Sequence, residues 1–161
     1  MGAVKPLKIV NGMIQQMGSS DYIEGLESSN NISQTNGNAS AAMVMGEAVY
    51  LASADTVLPA QANASGTSYV VGLIADASIA HGVTGGVMTA GVLVATVAQW
   101  DAVITGGSTG LTPGSAYFLD PSTAGNITAT APTTGGQYVV FIGLALSTTE
   151  LKIMTQPPIG L

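Results

Sequence analysis

The sequence predicts an all-β protein: a small barrel or sandwich built from two similar β units, preceded by an N-terminal hairpin and extended arm. Three observations predict it. From about Met43 onward, short apolar runs of period two are separated by Gly, Pro, Asn and Ser turns. Val, Ile, Tyr, Phe and Thr dominate those runs, as half-buried pleated surfaces favour. The runs also echo one another at a nearly constant separation, and no segment sustains a helical period.

In chain order, residues 7–10 and 13–17 flank Asn11-Gly12, a pair that favours the left-handed conformations of a tight hairpin turn. Residues 18–40, GSSDYIEGLESSNNISQTNGNAS, are polar and aperiodic and read as a linker or arm. Expected strands cover 46–53, 68–76, 86–90, 92–97, 116–120, 126–130, 138–146 and 150–154. Thr89-Ala90-Gly91 would close a tight turn, and residues 98–104 a single helical turn. In the tail 157–161, Pro157-Pro158 cannot continue a strand ladder, so this segment is expected to fray or to lie on a neighbour. The expected organisation is a hairpin and polar arm at 1–43, a β body at 44–156 and a tail at 157–161.

Within the body, GEAVYL at 46–51 matches GSAYFL at 114–119, an offset of 68 residues. SYVVGLIADAS at 68–78 matches QYVVFIGLALS at 137–147, an offset of 69, and GVMT at 86–89 loosely matches KIMT at 152–155. Two units at 44–97 and 110–156 are therefore expected, each with too few strands to stand alone and each completing the other's core.

Composition narrows function. Charged residues make up 7% of the chain, against roughly 25% in average soluble proteins. The only basic residues are Lys5, Lys8 and Lys152, and the net charge is −6. Nucleic acids and anionic membranes are recognised through clustered Lys and Arg, so neither is an expected partner. No run reaches the length of a transmembrane helix, and the opening residues lack the apolar run of a signal peptide. The absence of cysteine excludes zinc–thiolate sites.

No catalytic, metal or cofactor site is expected. GLTPGSAYFLD, residues 110–120, has a phosphate-loop flavour, but no lysine follows the glycines and the next element is a strand. Pro113-Gly114 is turn chemistry at the entrance to that strand. Asp76, Ser78 and His81 lie close in sequence, yet a catalytic triad is defined by geometry and an oxyanion hole. Asp55, Asp101 and Asp120 sit beside turns without an EF-type calcium loop.

On these strands and turns the chain resembles virion structural proteins of tailed bacteriophages, of the capsid decoration (cement) or head-fibre type. KPLKIVNGMIQQM is similar to the start of many phage head and tail accessory proteins. The GEAVYL, YVVGLIADAS, TAGVLVATV, LTPGSAYFLD and YVVFIGLALS–ELKI segments are similar to the body strands of the decoration group. The resemblance implies a non-enzymatic protein on the capsid surface. It would bind the major capsid protein and itself, as a homo-oligomer and most often a trimer, without cofactors. Segments of this type also occur in tail-fibre and baseplate proteins, which leaves host-glycan binding as the alternative. If the arm docks, Leu7, Ile9, Met13, Ile14, Tyr22 and Ile23 are the candidate interface residues, with Trp100 as an inter-subunit anchor.

Overall fold

The structure is a computed structural model that describes residues 30–161 and, for the backbone alone, two N-terminal strands. These are β1 (Leu7–Val10) and β2 (Met13–Gln16), paired antiparallel with Val10 opposite Met13. The two residues left between them are Asn11 and Gly12, as the hairpin signal predicts.

The body is all-β with one short helix. Its first half contains β3 (Asn31–Asn36), β4 (Met43–Val44), β5 (Ala48–Ser53), β6 (Thr56–Pro59), β7 (Val70–Ile74), β8 (Ser78–Ile79) and β9 (Thr84–Met88). Its second half contains β10 (Gly91–Val94), α1 (Val97–Val103), β11 (Ala116–Leu119), β12 (Ile127–Thr128), β13 (Tyr138–Val139), β14 (Phe141–Ala145), β15 (Glu150–Ile153) and β16 (Ile159–Gly160). Five strands close a barrel in the order β3-β6-β5-β7-β9, and five form a second sheet in the order β10-β15-β14-β11-β12.

The second sheet repeats the first, pair for pair. Ala48, Val49 and Tyr50 face Leu73, Gly72 and Val70, with a bulge after Val49; Ala116, Tyr117 and Phe118 face Leu144, Gly143 and Phe141, with a bulge after Tyr117. β3 lies against β9 as β10 lies against β15. The first barrel closes through a parallel pairing of β3 with β6, at Asn36 and Val57. In the second half the matching contact is a single parallel bridge, Ile104 to Ile127. There α1 interrupts the strand that runs unbroken in β3. The pseudo-repeat is thus two five-stranded units of one topology, the second closed by one bridge.

Two glycine pairs explain why the units share this geometry. Gly46 (φ 86°) and Gly114 (φ 78°) begin the entrance to β5 and β11 in the left-handed region. The Gly46 N–H donates to Ile74 O at 2.9 Å, and the Gly114 N–H to Ala145 O at 2.8 Å. Gly72 and Gly143 lie where a Cβ would meet the backbone carbonyl of Met88 and Lys152, respectively. At that point two strands approach too closely for any side chain.

Strand pairing moves three sequence-based boundaries. Asn31–Asn36, read as part of a polar arm, is a barrel strand, so the body begins near residue 30 and not at 44. Thr89-Ala90-Gly91 does not close a hairpin: β9 belongs to the first barrel and β10 pairs with β15 of the second unit. The chain thus divides there, and not between 97 and 110. The second echo also slips by two residues, because Gly72 corresponds in pairing to Gly143, 71 positions later.

The two units share a core. Inside the first barrel lie Met43, Val49, Val57, Ile74, Ile79 and Val87. Ala48 and Leu73, on the opposite faces of the same strands, join Trp100, Leu119, Ile127, Ile142 and Leu151 in a larger cluster. Backbone bonds stitch the seam: Ala48 N–H donates to Gly125 O, Gly125 N–H to Ala60 O, and Ala62 N–H to Asp120 O, at 2.7–3.0 Å.

Replacing Gly72 or Gly143 by alanine is expected to cost about 1–3 kcal/mol, since the added methyl meets backbone and no flexible side chain can yield. Chemical denaturation of the two variants checks this; a neutral outcome at both would contradict the close-approach account.

Candidate interaction surfaces

The interface residues expected from the sequence are placed unequally. Leu7, Ile9, Met13 and Ile14 lie on β1 and β2, where the backbone hairpin is described. Tyr22 and Ile23 lie outside the described residues. Trp100 is a correction: it is fully buried in its own chain's core and is not an exposed inter-subunit anchor. Thr96 caps α1, its hydroxyl accepting from the Gln99 N–H at 3.2 Å while the Gln99 carbonyl accepts from the Thr96 N–H at 2.9 Å. That box aims Trp100 inward, where its indole N–H donates to Thr149 O at 3.0 Å. The ring packs over Gly46, whose missing Cβ would sit 2.9 Å from Cζ3.

GLTPGSAYFLD is a strand entrance. Ser115 N–H donates to Thr112 O, and Thr112 N–H to the Tyr117 hydroxyl at 2.9 Å. The Asp101 carboxylate accepts from the Gly110 N–H at 2.7 Å and pins the preceding loop to α1. The same entrance stands before β5, where Glu47 N–H donates to Val44 O. Asp120 is buried and caps its own turn by accepting from Ser122 and Thr123 N–H at 2.6 and 2.7 Å. Asp76 accepts from the Gly86 N–H at 2.9 Å, and His81 sits exposed on a turn beside Gly82. Asp55 occupies the left-handed region (φ 57°) in the two-residue connection between β5 and β6. Three of these four aspartates are thereby committed to backbone donors. Among the described residues, no group of three His, Cys, Asp or Glu side chains could hold a metal ion. No helix among them is long and apolar enough to cross a membrane.

Three surface depressions lie among the described residues. A polar cleft of about 210 Å³ runs along the loop 104–110 and is closed by Thr112, Tyr117 and Thr128–Thr130. Two further grooves flank the C-terminal segment. One of about 260 Å³ is lined by Phe118, Val139, Phe141, Gln156, Pro157 and Ile159. The other, about 240 Å³, is lined by Tyr69, Val70 and Thr155–Pro158. In the first of these two grooves Phe118 and Phe141 meet edge to face, with centroids 5.9 Å apart. The tail does not fray: β16 pairs with β13, Tyr138 opposite Gly160 and Val139 opposite Ile159. Sequence reasoning stopped the ladder at Pro157-Pro158 and missed that pairing resumes immediately after them.

The aromatics divide clearly. Trp100 and Tyr117 are core residues, and Tyr50 and Tyr138 pack against the same cluster. Among the described tyrosines, Tyr69 alone is well exposed, at 64%. No family model, curated protein or solved structure matches the chain.

Two buried polar groups yield predictions. Gln34 points into the first barrel with its side-chain carbonyl oxygen buried and unpaired. Gln34→Met, of similar length, is expected to raise stability by about 1 kcal/mol, read as a shift in denaturation midpoint at constant slope. Glu47 is half-buried over Gly125; burial raises its carboxyl above the ordinary value near 4.5, partly opposed by the hydrogen bond from the Val44 N–H. Between pH 4.5 and the raised value, the folded chain holds a proton that the unfolded chain releases. This group's contribution is thus fully present in acid and is lost as pH rises. Glu47→Gln keeps an acceptor for Val44 and removes the titration. Its stability relative to the parent should increase from pH 4.5 toward neutrality in parallel denaturation series.

Proposed function

We propose that the chain is a structural protein of a tailed-bacteriophage virion, a cement or head-fibre subunit. It attaches through its N-terminal hairpin segment, self-associates and stabilises the capsid shell. The observation that carries the reading is where the aromatic side chains lie. Trp100 and Tyr117 are buried and Tyr50 and Tyr138 pack against the core, so they serve a rigid body and offer little surface for stacking sugars. Also in support, β1 and β2 form a separate two-stranded sheet ahead of that body. Such a ribbon is marginal in water without further packing, as suits an element that folds onto a partner.

The mechanism is mass action. A subunit that binds only the assembled lattice shifts the lattice toward assembly. A modest contact repeated across an oligomer gains from effective concentration. A second reading, a tail-fibre or baseplate subunit that binds host glycan, draws on exposed Tyr69.

Removal of residues 1–29 leaves every strand of the barrel and of the second sheet in place. The shortened chain is expected to melt as the full chain does and to lose attachment to particles. Cryo-electron microscopy of native particles, with the full and shortened chains, checks both points. Density on the shell that depends on residues 1–29 supports the reading. Density only at the tail, or undiminished attachment of the shortened chain, overturns it.

A further inference from the structure

We propose that the paired grooves on either side of Pro157 form a contact surface for a second copy of this chain. The inference rests on the self-association included in the reading above and assigns it to one face. The grooves share Gln156 and Pro157 as a common wall, so Pro157 forms a ridge with a depression on each side. A ridge flanked by grooves offers both halves of a fit on one patch, which an isologous twofold contact requires.

The ridge is held in place. Gln156 N–H donates to Phe141 O at 3.0 Å, Leu161 N–H to Gln137 O at 3.0 Å, and Gly136 N–H to Leu161 O at 3.1 Å. A contact made here does not first have to order a tail. Among the described residues β16 has one strand neighbour, β13, and its other edge faces no described strand. Around that edge lie the two most exposed large apolar side chains of the described residues, Tyr69 and Ile159, each 64% exposed, together with Leu161; Val94, Leu51 and Val83, also exposed, lie elsewhere in the fold.

Charge selects the occupant. Residues 30–161 contain six acidic side chains, Glu47, Asp55, Asp76, Asp101, Asp120 and Glu150, against the single Lys152. Two copies therefore repel each other in most orientations. No residue lining either groove is charged. A basic partner would be drawn to the acid-bearing faces, whereas another acidic copy can approach closely only where the acids are absent.

Sedimentation velocity on the full chain, on Ile159→Asp and on Ile9→Asp tests the assignment. A benzophenone amino acid at position 69 adds cross-linking between isotope-labelled and unlabelled copies. The full chain should sediment above the 16.0 kDa monomer. Ile159→Asp should weaken association by about tenfold or more with an unchanged melting temperature, because the side chain is already exposed. Cross-links from position 69 should reach residues 156–161 of the other isotope. If Ile9→Asp disperses the oligomer while Ile159→Asp does not, self-association stands through the hairpin and this face is the wrong one. A monomeric full chain overturns both. Tyr69-dependent retention on immobilised oligosaccharide without self-association would give the grooves to a saccharide and also overturn the proposal.

Discussion

The structure depends on strands of the first barrel being buried on both faces. In most small barrels the inner face is packed and the outer face is wet. Here Val49 and Ile74 point into the barrel while their neighbours Ala48 and Leu73 point outward into the core of the second unit, and all four are fully buried. That double burial makes two small units one body. Truncating a fully buried leucine such as Leu73 typically costs about 2–5 kcal/mol, and at Leu73 the loss would fall on the packing between units. It also explains why alanines line the seam. Ala48, Ala60 and Ala62 are all fully buried, and a larger side chain there would separate backbones that exchange hydrogen bonds at 2.7–3.0 Å.

With that constraint shared, the two units diverge by compensation. Pairing makes Val49 the counterpart of Tyr117 and Ile74 the counterpart of Ala145. The second unit thus carries one larger and one smaller inward residue, and total volume is roughly kept, the kind of exchange cores tolerate best. Tyr117 brings a hydroxyl into the interior and satisfies it with the Thr112 N–H. The polar residues differ in the same manner. Asn36 closes the first barrel with its amide donating to Ile79 O at 2.7 Å and its carbonyl accepting from Asn38 N–H at 2.7 Å. At the matching bridge the second unit has Ile104. The helix inserted before Ile104 brings Trp100, which fills space that a continuous strand would otherwise occupy.

This history decides what could be read in the sequence. The strands from Ala48 onward were legible because alternating Val, Ile, Leu and Tyr face a core. The echo from GEAVYL to GSAYFL was legible because both segments need a positive-φ glycine two residues before a small alanine that opens the strand just ahead of its bulge. The strand at Asn31–Asn36 was not, since its inward residues after Ile32 are Gln34 and Asn36, which carry no hydrophobic signal. The two-residue slip in the second echo follows from strand periodicity itself: a shift of two keeps every side chain on its own face, so the pattern cannot detect it. Only the glycine that faces a backbone carbonyl fixes the true register. Trp100 was ambiguous because an aromatic suits a core and an interface equally well, and only the capping box at Thr96 and Gln99 turns it inward. The grooves beside Pro157 were invisible, since they exist only where distant segments at 69–70, 118, 139–141 and 156–159 converge.

The scarcity of charge is better understood through the fold than through composition alone. Strands buried on both faces leave no place for charge along the seam, the exposed turns are filled mainly by Ser, Thr, Gly, Ala and Asn, and the acids that are present mostly serve the backbone. Asp76, Asp101, Asp120 and Glu47 each accept from a main-chain N–H at a turn or strand entrance. Such carboxylates fix loops and leave the intervening surface uncharged. Solubility then cannot come from interspersed ions of both signs. The described residues instead carry a net negative charge, which opposes approach between copies wherever those acids face one another. Placing acids at turns therefore does two things in this molecule: it sets the backbone of each unit, and it leaves the grooves beside Pro157 without a charged lining residue.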